Sequence, residues 1–175
     1  MKKIPSLLAL IFFTTTILLI AIIFTNKEQP TSVIGSVEHV YIKNADINLT
    51  GRVDTGAGVS SINAEIIKIN KPTTKDGAES VVFRIKDQNK QTLDIEAEII
   101  EWQNIKKKGH AGYMKRPVVE MVLCIGKKRV RARVNLADRE GFLYPLLIGR
   151  NTLKAGDFLI DPAKKFTSEP LCKKK

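Results

Sequence analysis

From Gly35 onward no long stretch repeats its apolar residues every 3.6 positions, and the recurring period is two. A chain patterned in this way buries strand faces rather than helix stripes, so an all-β domain with one short helix is expected. Candidate strands cover Val37 to Ile42, Ile47 to Val53, Val81 to Ile85, Thr92 to Ile99, Pro117 to Ile125, Arg129 to Leu136 and Phe158 to Ile160. Asp87 to Lys90 and Gly126 to Lys128 are rich in turn formers and short enough to close hairpins. In the second hairpin Arg129, Arg131 and Arg133 alternate with Val130, Ala132 and Val134, which gives one basic and one apolar face. The basic face reads first as a solvated exterior and second as a groove for an anionic partner. The helix is expected to begin near Arg150-Asn151-Thr152-Leu153 and to stop at Gly156.

The N-terminus follows different rules. Lys2 and Lys3 precede an uncharged run of 21 residues, Ile4 to Phe24, which as a helix would reach about 31 Å, enough to cross a bilayer. No A-x-A cleavage pattern occurs between Ile22 and Lys27, so residues 1–24 are expected to stay as a membrane anchor rather than leave as a signal peptide. The dibasic start keeps the N-terminus cytoplasmic and exports the rest. Residues 25–34 then read as a linker, 35–166 as the folded domain and 167–175 as a basic tail. A net charge of +11, from 29 Lys+Arg against 18 Asp+Glu, suits anionic neighbours such as lipid headgroups, wall polymers or acidic peptides. No nucleic-acid partner is expected. The two cysteines, Cys124 and Cys172, are too few for a disulfide scaffold and form no C-x-x-C. Cys124 sits in a candidate strand as a small hydrophobe, and a bond to Cys172 is permitted in an oxidising compartment.

Chemistry concentrates in two segments. In Arg52-Val53-Asp54-Thr55-Gly56-Ala57 a strand delivers Asp54 into a turn whose small residues let backbone approach the carboxylate. Asp-Thr-Gly alone also occurs in ordinary turns. The second segment, Tyr144-Pro145-Leu146-Leu147-Ile148-Gly149-Arg150-Asn151-Thr152-Leu153, is an apolar strand running into Gly-Arg-Asn and the helix start.

Together these segments resemble the retropepsin-like aspartic peptidases, and more closely the bacterial family formerly labelled ATP-dependent zinc proteases. The resemblance extends from about Gly35 to Phe166 through Ser60, Asn63-Ala64, Gly109, Arg116-Pro117-Val118-Val119, Leu136-Ala137-Asp138-Arg139 and Phe158-Leu159-Ile160-Asp161-Pro162. Gly58-Val59 stands where the pattern suggests Arg-Thr, and Asn63 where it suggests His, which affects subsite shape more than the acid. The resemblance implies a closed β-barrel, a homodimer and Asp54 as the catalytic residue of each chain. Thr55, Gly56 and Ala57 would support the active-site loop, and Gly149, Arg150 and Asn151 would pack against it. Two Asp54 carboxylates, sharing one proton and one water, would hydrolyse a peptide or protein substrate. The aspartic-protease dyad is itself the standard example of such a coupled pair. Gly109, His110 and Gly112 belong to the segment expected to form a flap. The location implied is the bacterial inner membrane, single-pass, with the C-terminal domain in the periplasm.

The zinc label finds no support in the residues. The two histidines, His39 and His110, make no H-E-x-x-H, and no G-x-x-x-x-G-K-[ST] occurs. No metal and no cofactor are expected. A Ser60 or Cys124 nucleophile paired with His110 lacks any elbow motif. The competing reading is a non-catalytic retropepsin-like module that binds a periplasmic protein or an anionic envelope polymer.

Overall fold

A computed structural model describes residues 31–72, 74, 77–106 and 112–172. The expected anchor, most of the expected linker, and Gly109 and His110 of the expected flap lie outside these residues. Among the described residues no helix is long and apolar enough to cross a membrane.

The strands are β1 (Ser32–Gly35), β2 (Val37–Ile42), β3 (Ile47–Val53), β4 (Ser60–Asn63), β5 (Glu65–Asn70), β6 (Ser80–Lys86), β7 (Thr92–Glu98), β8 (Glu101–Lys106), β9 (Tyr113–Ile125), β10 (Lys128–Ala137), β11 (Leu146–Ile148) and β12 (Phe158–Asp161). The helix α1 (Arg150–Ala155) separates the last two, and Gly156 caps it as expected. The domain is all-β with one short helix. One sheet runs β10-β4-β11-β3-β2-β9-β8, and β10 also pairs with β9, so the pairings return on themselves through six strands. β5-β6-β7 form a second sheet, and β1 pairs with β12 in a third.

Period-two patterning accounts for most of this. In β10 the three arginines are exposed while Val130, Ala132 and Val134 are buried. Val81, Phe83 and Ile85 place one face of β6 in the same core as Leu49, Ile62, Leu123 and Leu136. The two expected hairpins form, β6 with β7 and β9 with β10, and Gly126 takes a φ of +55° in the second turn, where an L side chain would be strained. Arg131 lies 3.4 Å from Glu120 and Arg133 2.8 Å from Glu101, while Arg129 donates to the Cys172 carbonyl. The basic stripe is therefore met by partners from its own fold.

Several boundaries differ from the sequence reading. Ser32 to Ile34, assigned to the linker, belong with Gly35 to β1; its register to β12 pairs Val33 with Leu159, a contact no local pattern announces. β5 escaped because a bulge between Ile66 and Lys68 breaks the alternation and leaves Ile66 and Ile67 both exposed. β8 is an edge strand with little buried surface, and β9 begins four residues before Pro117 because it pairs with β8 there. Thr167 to Cys172, assigned to a basic tail, is fastened to the domain by hydrogen bonds and a Cys124–Cys172 disulfide.

The fully buried Leu123 faces this core from β9. Leu123→Ala should lower unfolding free energy by about 2–5 kcal/mol, whereas Leu143→Ala, at a residue 84% exposed, should change it by less than about 0.5 kcal/mol. Urea unfolding followed by circular dichroism checks both.

Candidate active site

β11 is three residues long and lies between β3 and β4, parallel to the first and antiparallel to the second. This arrangement sets the position of Asp54. Where β3 ends, the Asp54 amide donates to the Ile148 carbonyl at 3.0 Å, so the acid is fixed to β11 as well as to its own strand. Its Oδ1 accepts from the amides of Gly56 at 2.8 Å and Ala57 at 3.2 Å, which folds the turn around the carboxylate. Oδ2 takes no hydrogen bond from the described residues. Asp54 is half-buried, and Thr55 and Gly56 are exposed beside it.

Gly149-Arg150-Asn151 holds this loop from the other side. Arg150 Nη1 donates to the carbonyls of Thr55 at 2.8 Å and Gly56 at 2.7 Å, and its amide donates to the Ala57 carbonyl at 2.9 Å. The Asn151 amide bonds the Gly58 carbonyl, its Oδ1 accepts from the Ser60 amide at 2.9 Å, and its Nδ2 donates to the Arg133 carbonyl at 2.6 Å. Gly149 lies against β4 so closely that a Cβ would stand 2.7 Å from the Val59 carbonyl carbon, which explains a glycine there. The fold thus brings the two segments singled out in the sequence into contact.

Other residues have roles that a linear reading did not assign. The buried Ser60 hydroxyl accepts from the Gly149 amide at 2.9 Å and lies 2.7 Å from Thr152 Oγ1 and 3.1 Å from Asn151 Oδ1. It joins β4 to the start of α1. Cys124 is disulfide-bonded, which removes it as a nucleophile. Asn63 Oδ1 accepts the Arg139 amide at 2.6 Å, giving the departure at position 63 a structural use. Arg139 stacks over Phe142 at 4.5 Å, and its Nε is buried without a hydrogen-bond partner among the described residues. Burial holds its guanidinium below the usual range, the charge of Arg116 adds to this, and the charge of Asp54 opposes it. The charges of Arg116 and Asp54 thus both act on Arg139. Neither arginine forms an ion pair among the described residues. Arg116 also lines a cavity of about 590 Å³ together with Asn63, Arg84, Lys86, Met114 and Asp138.

Of the expected flap, Lys106 to Tyr113, the described residues are Lys106, Gly112 and Tyr113, and Gly112 is exposed at a φ of +130° just before β9. β8 and the first residues of β9 pair from Lys106–Tyr113 to Glu101–Val118, and β10 joins β9 only from Val118 onward. This leaves a two-stranded arm reaching past β10. Among the described residues no group of three or more His, Cys, Asp or Glu is placed to hold a metal ion.

Ser60→Ala leaves the Gly149 amide without its acceptor in a buried setting. It should cost about 1–3 kcal/mol of stability and raise amide exchange at Gly149 and Asn151, measurable by denaturation and hydrogen exchange.

The chain is 31% identical over 121 residues to a Shewanella halifaxensis protein named probable alpha-L-glutamate ligase, a match covering 67% of this chain and 25% of that protein. A Shewanella pealeana protein of the same name is 30% identical over 121 residues. The chain thus spans about a quarter of the length of these curated relatives. A crystallised Legionella pneumophila protein of unknown function superposes with a TM-score of 0.65 at 28% identity, over 80% of this chain and 100% of that one. The family model described as retropepsin-like aspartic endopeptidase RimB matches residues 33–170, the span that holds the Asp54 loop and the Gly149-Arg150-Asn151 segment packed against it, and the chain belongs to this RimB-like family.

Proposed function

We propose that this chain is a membrane-anchored, exported aspartic endopeptidase that works as a homodimer. The observation that carries the reading is Asp54, whose Oδ1 is fixed by two amides while Oδ2 stays available at an exposed loop. One chain supplies one such acid, so a second copy across a two-fold axis would complete the site. One carboxylate then takes a proton from the water between the pair, and the other donates a hydrogen bond to the scissile carbonyl. The tetrahedral intermediate collapses as a proton passes to the amide nitrogen, with no covalent enzyme adduct. Thr55 would brace the two loops against each other, and the β8–β9 arm would cover an extended peptide.

The cyclic pairing of six strands supports a closed barrel as the frame of each half-site. The uncharged run from Ile4 to Phe24 supports the anchor, and a disulfide supports an oxidising location outside the cytoplasm.

For substrate, we favour a peptide carrying glutamate side chains. Arg116 and Arg139 have no internal counter-ion beside the acid, and the curated relatives are named as glutamate ligases. A charged hydrogen bond of this kind contributes about 1.5–3 kcal/mol. Arg139→Gln should therefore raise KM for a glutamate-rich peptide about tenfold or more and leave cleavage of a neutral peptide nearly unchanged.

The decisive experiment replaces Asp54 by Asn, which keeps the shape and removes the base. Cleavage should fall by orders of magnitude while fold and dimer survive. In mixtures of mutant and wild-type subunits, activity should follow the square of the wild-type fraction, about one quarter at equal amounts. Linear dependence would show that each chain acts alone. Unchanged activity in Asp54→Asn would favour a module that binds a partner without cleaving it.

A further inference from the structure

The segment Lys164 to Cys172 follows β12 back across the start of β2 and ends against the β9–β10 turn. Its attachments are mostly polar. The Phe166 amide donates to the Val37 carbonyl at 2.7 Å, and its ring stacks on His39 with centroids 4.4 Å apart. Glu38, fully buried, receives the Thr167 amide at 3.0 Å and the Thr167 hydroxyl at 2.7 Å, and also accepts from the Gly35 amide. The Leu171 amide donates to the Gly126 carbonyl at 2.7 Å, and Cys172 closes the strap through its disulfide to Cys124.

The other end of this strap leads to the catalytic loop. The Lys164 carbonyl accepts from the Ser36 amide at 2.8 Å and from the Ser36 hydroxyl at 3.0 Å. The Ser36 carbonyl in turn accepts the Val53 amide at 3.0 Å, and Val53 directly precedes Asp54. Two hydrogen-bonded steps therefore join the strap to the residue that sets the acid.

Beyond these, the strap is held by the buried Pro170, by Glu169, whose carboxylate lies 3.8 Å from His39 Nε2, and by Arg129, which donates to the Cys172 carbonyl. Phe166 and Leu171 are exposed, and Phe166 adopts a φ of +53°, a left-handed conformation that an aromatic residue keeps only when its neighbours impose it. A segment with few buried apolar contacts opens at low local free energy. The covalent closure at Cys172 opposes that opening.

We propose that the Cys124–Cys172 bond is a thiol-controlled latch that couples the state of the strap to the order of the Asp54 loop. Opened, the strap leaves Val37, Glu38 and Ser36, and the segment before Asp54 loses its support. The chain then reaches full competence only where an oxidant for thiols is present. Cys124 is 1% exposed and Cys172 half-buried, so an incoming thiolate attacks Cys172 Sγ and Cys124 leaves as the thiolate. The second thiol of a dithiol reductant resolves the mixed disulfide. Two electrons and two protons end on Cys124 and Cys172, and the reductant becomes a disulfide. Closure is the reverse, with a disulfide oxidant accepting the electrons.

The test is amide exchange of the full chain before and after dithiothreitol, with Cys172→Ser alongside. It requires no peptidase activity, so its outcome is separate from that of the proposed function. Reduction should speed exchange at Phe166, Thr167 and Leu171 and, at least tenfold, at Ser36 and Val53, and reoxidation should restore protection. Cys172→Ser should exchange fast with or without reductant. Protection at Ser36 and Val53 that survives reduction would overturn the proposal, including the case in which the strap residues alone loosen. Reversible reduction of the wild-type chain keeps the test decisive if Cys172→Ser fails to fold.

Discussion

The placement of Leu146–Ile148 between β3 and β4 is the constraint on which the site depends. Two strands adjacent in sequence are held apart by a third that the chain reaches much later, and the loop between them must pass over the end of that third strand. Asp54 lies at this crossing, bonded through its amide to Ile148. Most of the polar work nearby completes the crossing: Ser60 meets Gly149 and Thr152, Asn151 meets Ser60 and Arg133, and Arg150 meets Thr55 and Gly56. Burial raises the cost of leaving any of these groups unpaired, so the network fixes one loop geometry rather than several.

Charge is divided in a way that bears on function. The arginines of β10 have partners within the fold, and Arg84 meets Asp94 through two hydrogen bonds. These contacts turn part of a strongly basic composition into ordinary surface pairing, worth little each. Arg116 and Arg139 differ because neither has an ion-pair partner among the described residues, and the charge of Asp54 acts on Arg139. A half-buried guanidinium with an unbonded Nε carries a desolvation cost. The arginines without an ion pair among the described residues are thus not the ones that make the most regular pattern in the sequence.

The two ends of the described chain support the same region. β1 lies parallel to β12, and the strap after β12 returns to the residues that link β1 with β2. Glu38 is central here, a buried carboxylate whose oxygens are satisfied by amides and a hydroxyl from both ends. The Asp161 carboxyl at the base of the strap is held below its usual range by Lys164 and by the amide of Ala163. Interactions of this kind tie distant residues without adding to the apolar core.

The sequence by itself determined the elements whose signal is local. Alternation marked the strands that bury one face, turn residues marked two hairpins, and Gly156 marked the end of α1, because each depends on neighbours within a few positions. The Asp-Thr-Gly-Ala loop and the Gly-Arg-Asn segment were legible for a related reason, since their chemistry is carried by short strings of residue types. Tertiary structure decided what depends on register between distant segments. It made a strand of Ser32–Gly35 by pairing it with β12, and a strand of Glu65–Asn70 despite a bulge that hides its period. It gave Ser60 its hydrogen-bonding hub, brought Arg139 into the neighbourhood of Asp54, and joined Cys124 to Cys172 across a separation of 48 residues. A residue's own sequence neighbourhood carries no information about a partner reached only after the chain has folded back.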